Sequence, residues 1–197
     1  MAAIGVDDLK RDPDLATREL VAGDGTAFRG RLLHHDDTEA LGRFFDGLSQ
    51  AVRGVYGPHS LNAEHAGVLC AELDYGHLLP FVAQVEAELQ AYFLVQVGVR
   101  DGDRKRYEEH GPVLVDDDTV TFAPCVADAF QERGLGSALM PHVLDTVRRL
   151  GRSHMVLWGG VRGDNPRAQH FYRKFGFRHV GNFAGGGVDN LDMILDL

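Results

Sequence analysis

The sequence predicts a mixed α/β domain, with one sheet flanked by helices. Three observations point there. Apolar residues at strand spacing fill 78–86 and 90–99. From residue 119 onward strands alternate with helices, so the sheet gains a covering layer. The chain has 197 residues, 44% hydrophobic and 25% charged, which suits one domain with a substantial core.

Residues 1–25 are acidic and spotted with glycine, with a short helix expected over 14–21. They read as an N-terminal extension before a single domain spanning 26–197. A first strand is expected over 27–34. Thr38 then opens a helix with Phe44, Phe45, Leu48 and Val52 on one face. Gly54 and the Gly57-Pro58 pair stop it, and a second helix is expected over 61–73. The strands 78–86 and 90–99 follow as neighbours. Residues 100–109 carry seven charges within Asp101–Glu109 and read as a solvated loop. A strand over 119–126 leads into a helix over 137–150. Leu139, Val143, Val147 and Leu150 form its apolar stripe, Arg148 and Arg149 suit its C-terminus, and Gly151 ends it. Strand 155–160, helix 166–175 and strand 177–182 come next. The glycines at 185–187 make a turn before a last strand over 191–195.

Composition narrows the function classes. Twenty-nine acidic against 20 basic residues give a net charge of −9, which argues against a nucleic-acid binder. Cys70 and Cys125 cannot make a disulfide framework or a Cys-rich zinc site, so they read as buried thiols in a reducing compartment. The histidines, among them the pair His34-His35, lack metal-ligand spacing, and no metal is expected. The most apolar strip, 91–99, is too short to span a membrane. Asp7, Asp8, Asp12, Asp14 and Glu19 are incompatible with a secretory leader, so a cytoplasmic protein is expected.

Two segments carry chemistry. In the first, the strand ending at Val126 runs into a short loop, and Gly134 and Gly136 sit where a helix starts. Glycine lets a ligand approach the backbone, and the first amides of a helix have no internal partners. Together these make a phosphate cradle. No Gly-Lys-Ser/Thr follows, so it is not a P-loop. Leu139 stands where a dinucleotide fingerprint needs its third glycine, which disfavours a dinucleotide oxidoreductase. In the second segment Asn165 or Asp164 caps a helix, Pro166 fits its first position and Gly176 its end. Ala168, Phe171, Tyr172 and Phe175 share one face of that helix.

In this order and spacing the two segments resemble the GNAT acyltransferase superfamily. The Gln/Arg-x-x-Gly-x-Gly/Ala loop of that family is matched by Gln131, Gly134 and Gly136. Its Asn-x-x-Ala, Tyr and Gly-Phe are matched by Asn165, Ala168, Tyr172, Gly176 and Phe177. The resemblance implies a central, mostly antiparallel twisted sheet with a splayed strand pair, the splay falling between strands 119–126 and 155–160. It implies transfer of an acetyl group from acetyl-CoA to a primary amine, on a small molecule or a protein. The alternative is a CoA-binding regulatory module with weak or lost catalysis. A homodimer is left open.

The resemblance also assigns roles. Backbone amides across Arg133, Gly134, Leu135, Gly136 and Ser137 would hold the pyrophosphate. Cys125 and Val126 would pair with the pantetheine arm, and the Val126 amide would polarise the thioester carbonyl. Gln131, Asn165 and Ala168 complete the cofactor set. Tyr172 is the expected acid for the departing thiolate. Some relatives carry a Glu on the strand before Asn165, but residues 158–162 here have no carboxylate. Glu86 is then the first candidate base and Asp128 the second. His59 falls in a region that borders the acceptor pocket of such a fold.

Overall fold

The computed structural model describes residues 3–197, which form a nine-stranded sheet with helices on both faces. Its strands are β1 (Arg18–Val21), β2 (Ala27–Leu32), β3 (Leu78–Val85), β4 (Glu88–Val97) and β5 (Thr119–Val126), then β6 (His154–Leu157), β7 (Val161–Arg162), β8 (Arg178–Gly185) and β9 (Val188–Asp196). The sheet order is β1-β2-β3-β4-β5-β6-β9-β7, with β8 on the other side of β9. Neighbours from β1 to β5 are antiparallel, β5 and β6 are parallel, and β9 is antiparallel to each of its partners.

The helices are α1 (Val6–Arg11), α2 (Thr38–Asp46), α3 (Gln50–Arg53), α4 (Ala63–Ala71), α5 (Asp101–Glu109), α6 (Leu135–Arg149) and α7 (Pro166–Lys174). Strand alternation divides the core between two faces. Phe81, Phe93, Val95 and Phe122 pack with Leu139, Val143 and Val147 of α6. Val82, Tyr92, Leu94 and Ala123 point the other way, against Phe44 and Phe45 of α2 and Cys70 of α4.

Four sequence expectations change. The helix expected over 14–21 is instead a 3-10 turn at Pro13–Ala16 followed by β1, which pairs with β2. Gly30 of β2 explains why a strand is accepted there. A Cβ at Gly30 would lie 2.9 Å from Leu20 and 3.0 Å from Leu139, so its absence lets β1 close over α6. The described part of the N-terminal segment is thus packed onto the sheet, with Leu9 and Ala16 in the core. The charged stretch 100–109 is the helix α5 rather than a loop. It buries only Tyr107 and Asp103, so no apolar stripe betrays it. Tyr107 donates to the Met193 carbonyl at 2.7 Å, and Arg106 bridges the buried Asp103 and Asp192 at 2.6 and 2.9 Å. The long helix from Thr38 ends at Asp46, and Ser49 caps a separate α3 through the Val52 amide. The two-residue β7 was not foreseen.

Candidate active site

β5 and β6 pair from Thr119 with His154 to Phe122 with Leu157, and the Trp158 amide makes the last link, to the Phe122 carbonyl at 2.9 Å. Beyond that point β6 turns away through Gly159 and Gly160, both at positive φ, while β5 continues along β4 as far as Val126. The expected splay is present. It opens a cavity of about 450 Å³, lined by β5, the loop after it, α6, α7, β7 and the region after α3.

Pro124, Cys125 and Val126 form one wall. The Ala127 amide donates to Gln90 of β4 at 2.9 Å. Successive strand amides point to opposite sides, so the Val126 N–H is directed into the splay. Pro124 has no N–H to leave unpaired on that side. The Val126 carbonyl, on the same side, accepts from Gln131 Nε2 at 3.0 Å. Gln131 therefore braces the end of the strand. Burial pushes the Cys125 thiol up to about 12, so it stays protonated and is a poor nucleophile.

The α6 N-terminus forms the second wall. Gly134 is its N-cap at φ 85°, with no side-chain cap, and the first helical bond runs from the Ala138 amide to Gly134. The Leu135, Gly136 and Ser137 amides thus lie in the unpartnered first turn, and all three residues line the cavity. Ser137 Oγ accepts from Lys174 Nζ of α7 at 3.0 Å, which sets a cation beside those amides. Sequence reasoning missed Lys174, because only the packing of α7 on α6 brings it there. Arg133 does not line the cavity. Its guanidinium stacks 4.7 Å from the Phe130 ring centroid and pairs with Asp24 of the β1–β2 turn at 2.6 Å.

Asn165 caps α7, its Oδ1 accepting from the Ala168 amide at 3.1 Å, and both residues line the cavity. Tyr172 is 7% exposed, with its ring among Phe122, Phe171 and Phe177. Its hydroxyl has no hydrogen-bond partner among the described residues, and burial pushes the phenol well above its ordinary value.

The two base candidates fare differently. Glu86 is exposed on the β3–β4 turn at φ 55° and does not line the cavity. Asp128 lines an adjoining cleft of about 390 Å³. Its carboxylate is taken by the Ser49 hydroxyl and amide at 2.6 and 2.9 Å, and these bonds hold its pKa below the ordinary value. His59 stands behind Tyr56, which lines the cavity. Among the described residues, His34, Asp36 and Asp37 are close enough to suggest a metal group. Asp37 is already bound twice by Arg31, at 2.6 and 2.8 Å, and none of the three lines the cavity.

Comparison with known proteins agrees with this geometry. The Acetyltransferase (GNAT) family matches residues 66–177. No curated protein is significantly similar to the chain in sequence. The GNAT domain of S. lividans PAT is 23% identical, with a TM-score of 0.76 over 94% of this chain and 99% of that one. Mycobacterium smegmatis RimJ, solved with CoA-disulfide, is 17% identical, with a TM-score of 0.68 over 91% and 86%. Salmonella typhimurium yncA, a putative acetyltransferase solved with acetyl-CoA, is 19% identical, with a TM-score of 0.63 over 86% and 93%. Among the described residues no helix is long and apolar enough to cross a membrane.

Proposed function

The chain belongs to the GNAT acetyltransferase family, and on that premise we propose that it transfers an acetyl group from acetyl-CoA to a primary amine by direct attack on the thioester. The observation that carries this reading is the splay. It joins, in one cavity, an unpaired strand edge, the open first turn of α6 and the Tyr172 ring.

Acetyl-CoA supplies the activated acyl group. The amides of Leu135, Gly136 and Ser137, with Lys174 beside them, suit its pyrophosphate. The absent Cβ of Gly136 keeps that cradle open, since the atom would crowd Val126 and Phe93 at 3.3 and 3.4 Å. The edge from Pro124 to Val126 suits the pantetheine arm, and Asn165 and Ala168 flank it. The Val126 N–H polarises the thioester carbonyl, a contribution of about 3 kcal/mol for a well-placed donor. Tyr172 gives its proton to the departing sulfur. In this reading the protein works in the cytoplasm, in keeping with two buried free thiols.

Calorimetry with CoA, then thiol release from acetyl-CoA over a panel of small and peptide amines, tests the proposal. CoA should bind and at least one amine should accelerate thiol release. CoA binding with no amine-dependent release would leave a binding module in its place.

A further inference from the structure

The cavity presents two phenols, and their hydrogen bonds differ. Tyr172 keeps its hydroxyl proton uncommitted. Tyr56 does not. Its hydroxyl lies 3.4 Å from His59 Nε2, and the Tyr92 hydroxyl is 3.2 Å from the same nitrogen. The other ring nitrogen, His59 Nδ1, is 3.0 Å from the Ser60 carbonyl oxygen. A carbonyl only accepts, so Nδ1 carries the proton and Nε2 presents a lone pair. Nε2 has one lone pair, and the Tyr56 hydroxyl is within reach to give it a proton. With its proton turned inward to Nε2, the Tyr56 oxygen is left as an acceptor at the cavity wall.

We propose that Tyr56, backed by His59, accepts the proton that the attacking amine loses, so that the two phenols divide the base and acid roles. This rests on the acetyl-transfer reading above. As the amine nitrogen bonds to the thioester carbonyl carbon, the carbon–sulfur bond breaks. The amine proton passes to the Tyr56 oxygen, and the Tyr56 proton passes to Nε2. The sulfur takes the Tyr172 proton. The imidazolium and phenolate left behind neutralise each other through solvent, so the cycle closes with no net proton. Tyr56 is the catalytic residue of this pair, and His59 positions and drains it.

The surroundings fit the assignment. The one carboxylate lining the cavity, among the described residues, is Glu132 in the loop before α6, at the phosphate end. The groups facing the His59 ring are Phe45 of α2, His65 of α4, stacked at 4.3 Å, and Tyr92 of β4. Burial, with a smaller push from His65, lowers the imidazole to about 4, so Nε2 is unprotonated at neutral pH.

Tyr56→Phe keeps the ring and removes the first oxygen of the relay. Acetyl transfer is followed with ethylamine and with the weakly basic trifluoroethylamine, beside CoA affinity by calorimetry. The variant should lose about 10²-fold in kcat with ethylamine while CoA binds unchanged. The loss with trifluoroethylamine, whose ammonium sheds its proton readily, should be several times smaller. Nitrogen-15 shifts of His59 in the wild-type protein should show the Nδ1–H tautomer at neutral pH, a readout that does not depend on the variant folding. An Nε2–H tautomer, full kcat in the variant, or equal losses with both amines would overturn the relay and leave acetyl transfer standing. Wild-type protein that binds CoA but acetylates neither these amines nor any in the wider panel would overturn the transfer reading, and the relay with it.

Discussion

At Tyr172 the ring and the hydroxyl answer to different forces. The ring is fixed by Phe122, Phe171 and Phe177, so Phe in its place keeps nearly all of the packing. The hydroxyl has no hydrogen-bond partner among the described residues, so its proton is the part that chemistry can use. Tyr172→Phe should lower kcat by about 10²-fold with the CoA dissociation constant nearly unchanged. Burial disfavours the phenolate, so the residue keeps its proton further into alkali than an ordinary phenol. A kcat profile measured where chemistry limits should therefore hold its plateau through pH 10, the ordinary value for tyrosine. A fall centred there would assign the proton to another group. Arg133 teaches the opposite lesson. Its charge suggests a phosphate ligand, yet Asp24, Phe130 and the Ala129 carbonyl already satisfy it. Asp24→Ala frees that guanidinium and loosens the loop it holds. CoA affinity, read by calorimetry, should fall several-fold, and an unchanged affinity would make the tether incidental.

The loop before α6 is where local sequence and distant packing meet. Gly134 sits at φ 85°, and a Cβ there would lie 2.6 Å from the Gly23 amide nitrogen in the β1–β2 turn. Gly134→Val is therefore strained by its own backbone and by its neighbour. It should weaken CoA binding tenfold or more, about 1.4 kcal/mol, in a titration at fixed salt. Retained affinity would remove the loop from the cofactor site. The glycine spacing, the Asn165 cap and the α6 stripe were legible because each is a rule over a few adjacent residues. The same holds for β3, β4 and β5, whose alternation serves both faces of the sheet. Three other features were not legible, for one shared reason. β1 depends on the missing side chain of Gly30, α5 on Asp192 and Met193 near the far end of the chain, and the Tyr56–His59–Tyr92 network on α2, α4 and β4 packing together. Such partners lie beyond any local pattern. Glu86 misled for a related reason: a strand-end carboxylate looks central in sequence, but the turn carries it to the surface.

Among the described residues, His142 is buried and His59 half-buried where their charged forms are disfavoured, and both brace the fold. His59 ties the segment after α3 to β4 through Tyr92, and His142 of α6 holds the N-terminal segment through the Ala16 carbonyl at 2.9 Å. Burial lowers the pKa of each, His59 from 6.5 to about 4. In the unfolded chain both titrate near 6.5. Below that value the unfolded state binds more protons than the folded one, so stability falls as pH drops. It is fully present above pH 6.5 and is lost toward the folded values, near pH 4 for His59. A shift of that size corresponds to about 3 kcal/mol, reduced to roughly 2 because the ring is not wholly removed from solvent. The paired carboxylates act in a lower window: Asp37 and Asp128 have lowered values, so their contribution is kept above the ordinary 3.8 and lost only below it. The urea midpoint should therefore drop already between pH 7 and pH 5, before any carboxylate effect. His142→Gln removes one titrating ring from the N-terminal contact, so the variant should show a shallower drop over the same interval, even if its midpoint at pH 7 is lower. Equal midpoints at pH 7 and pH 5 in the wild-type protein would mean that neither ring is shielded from water in solution, and the packing of the segment after α3 on β4 and of the N-terminal segment on α6 would both be wrong.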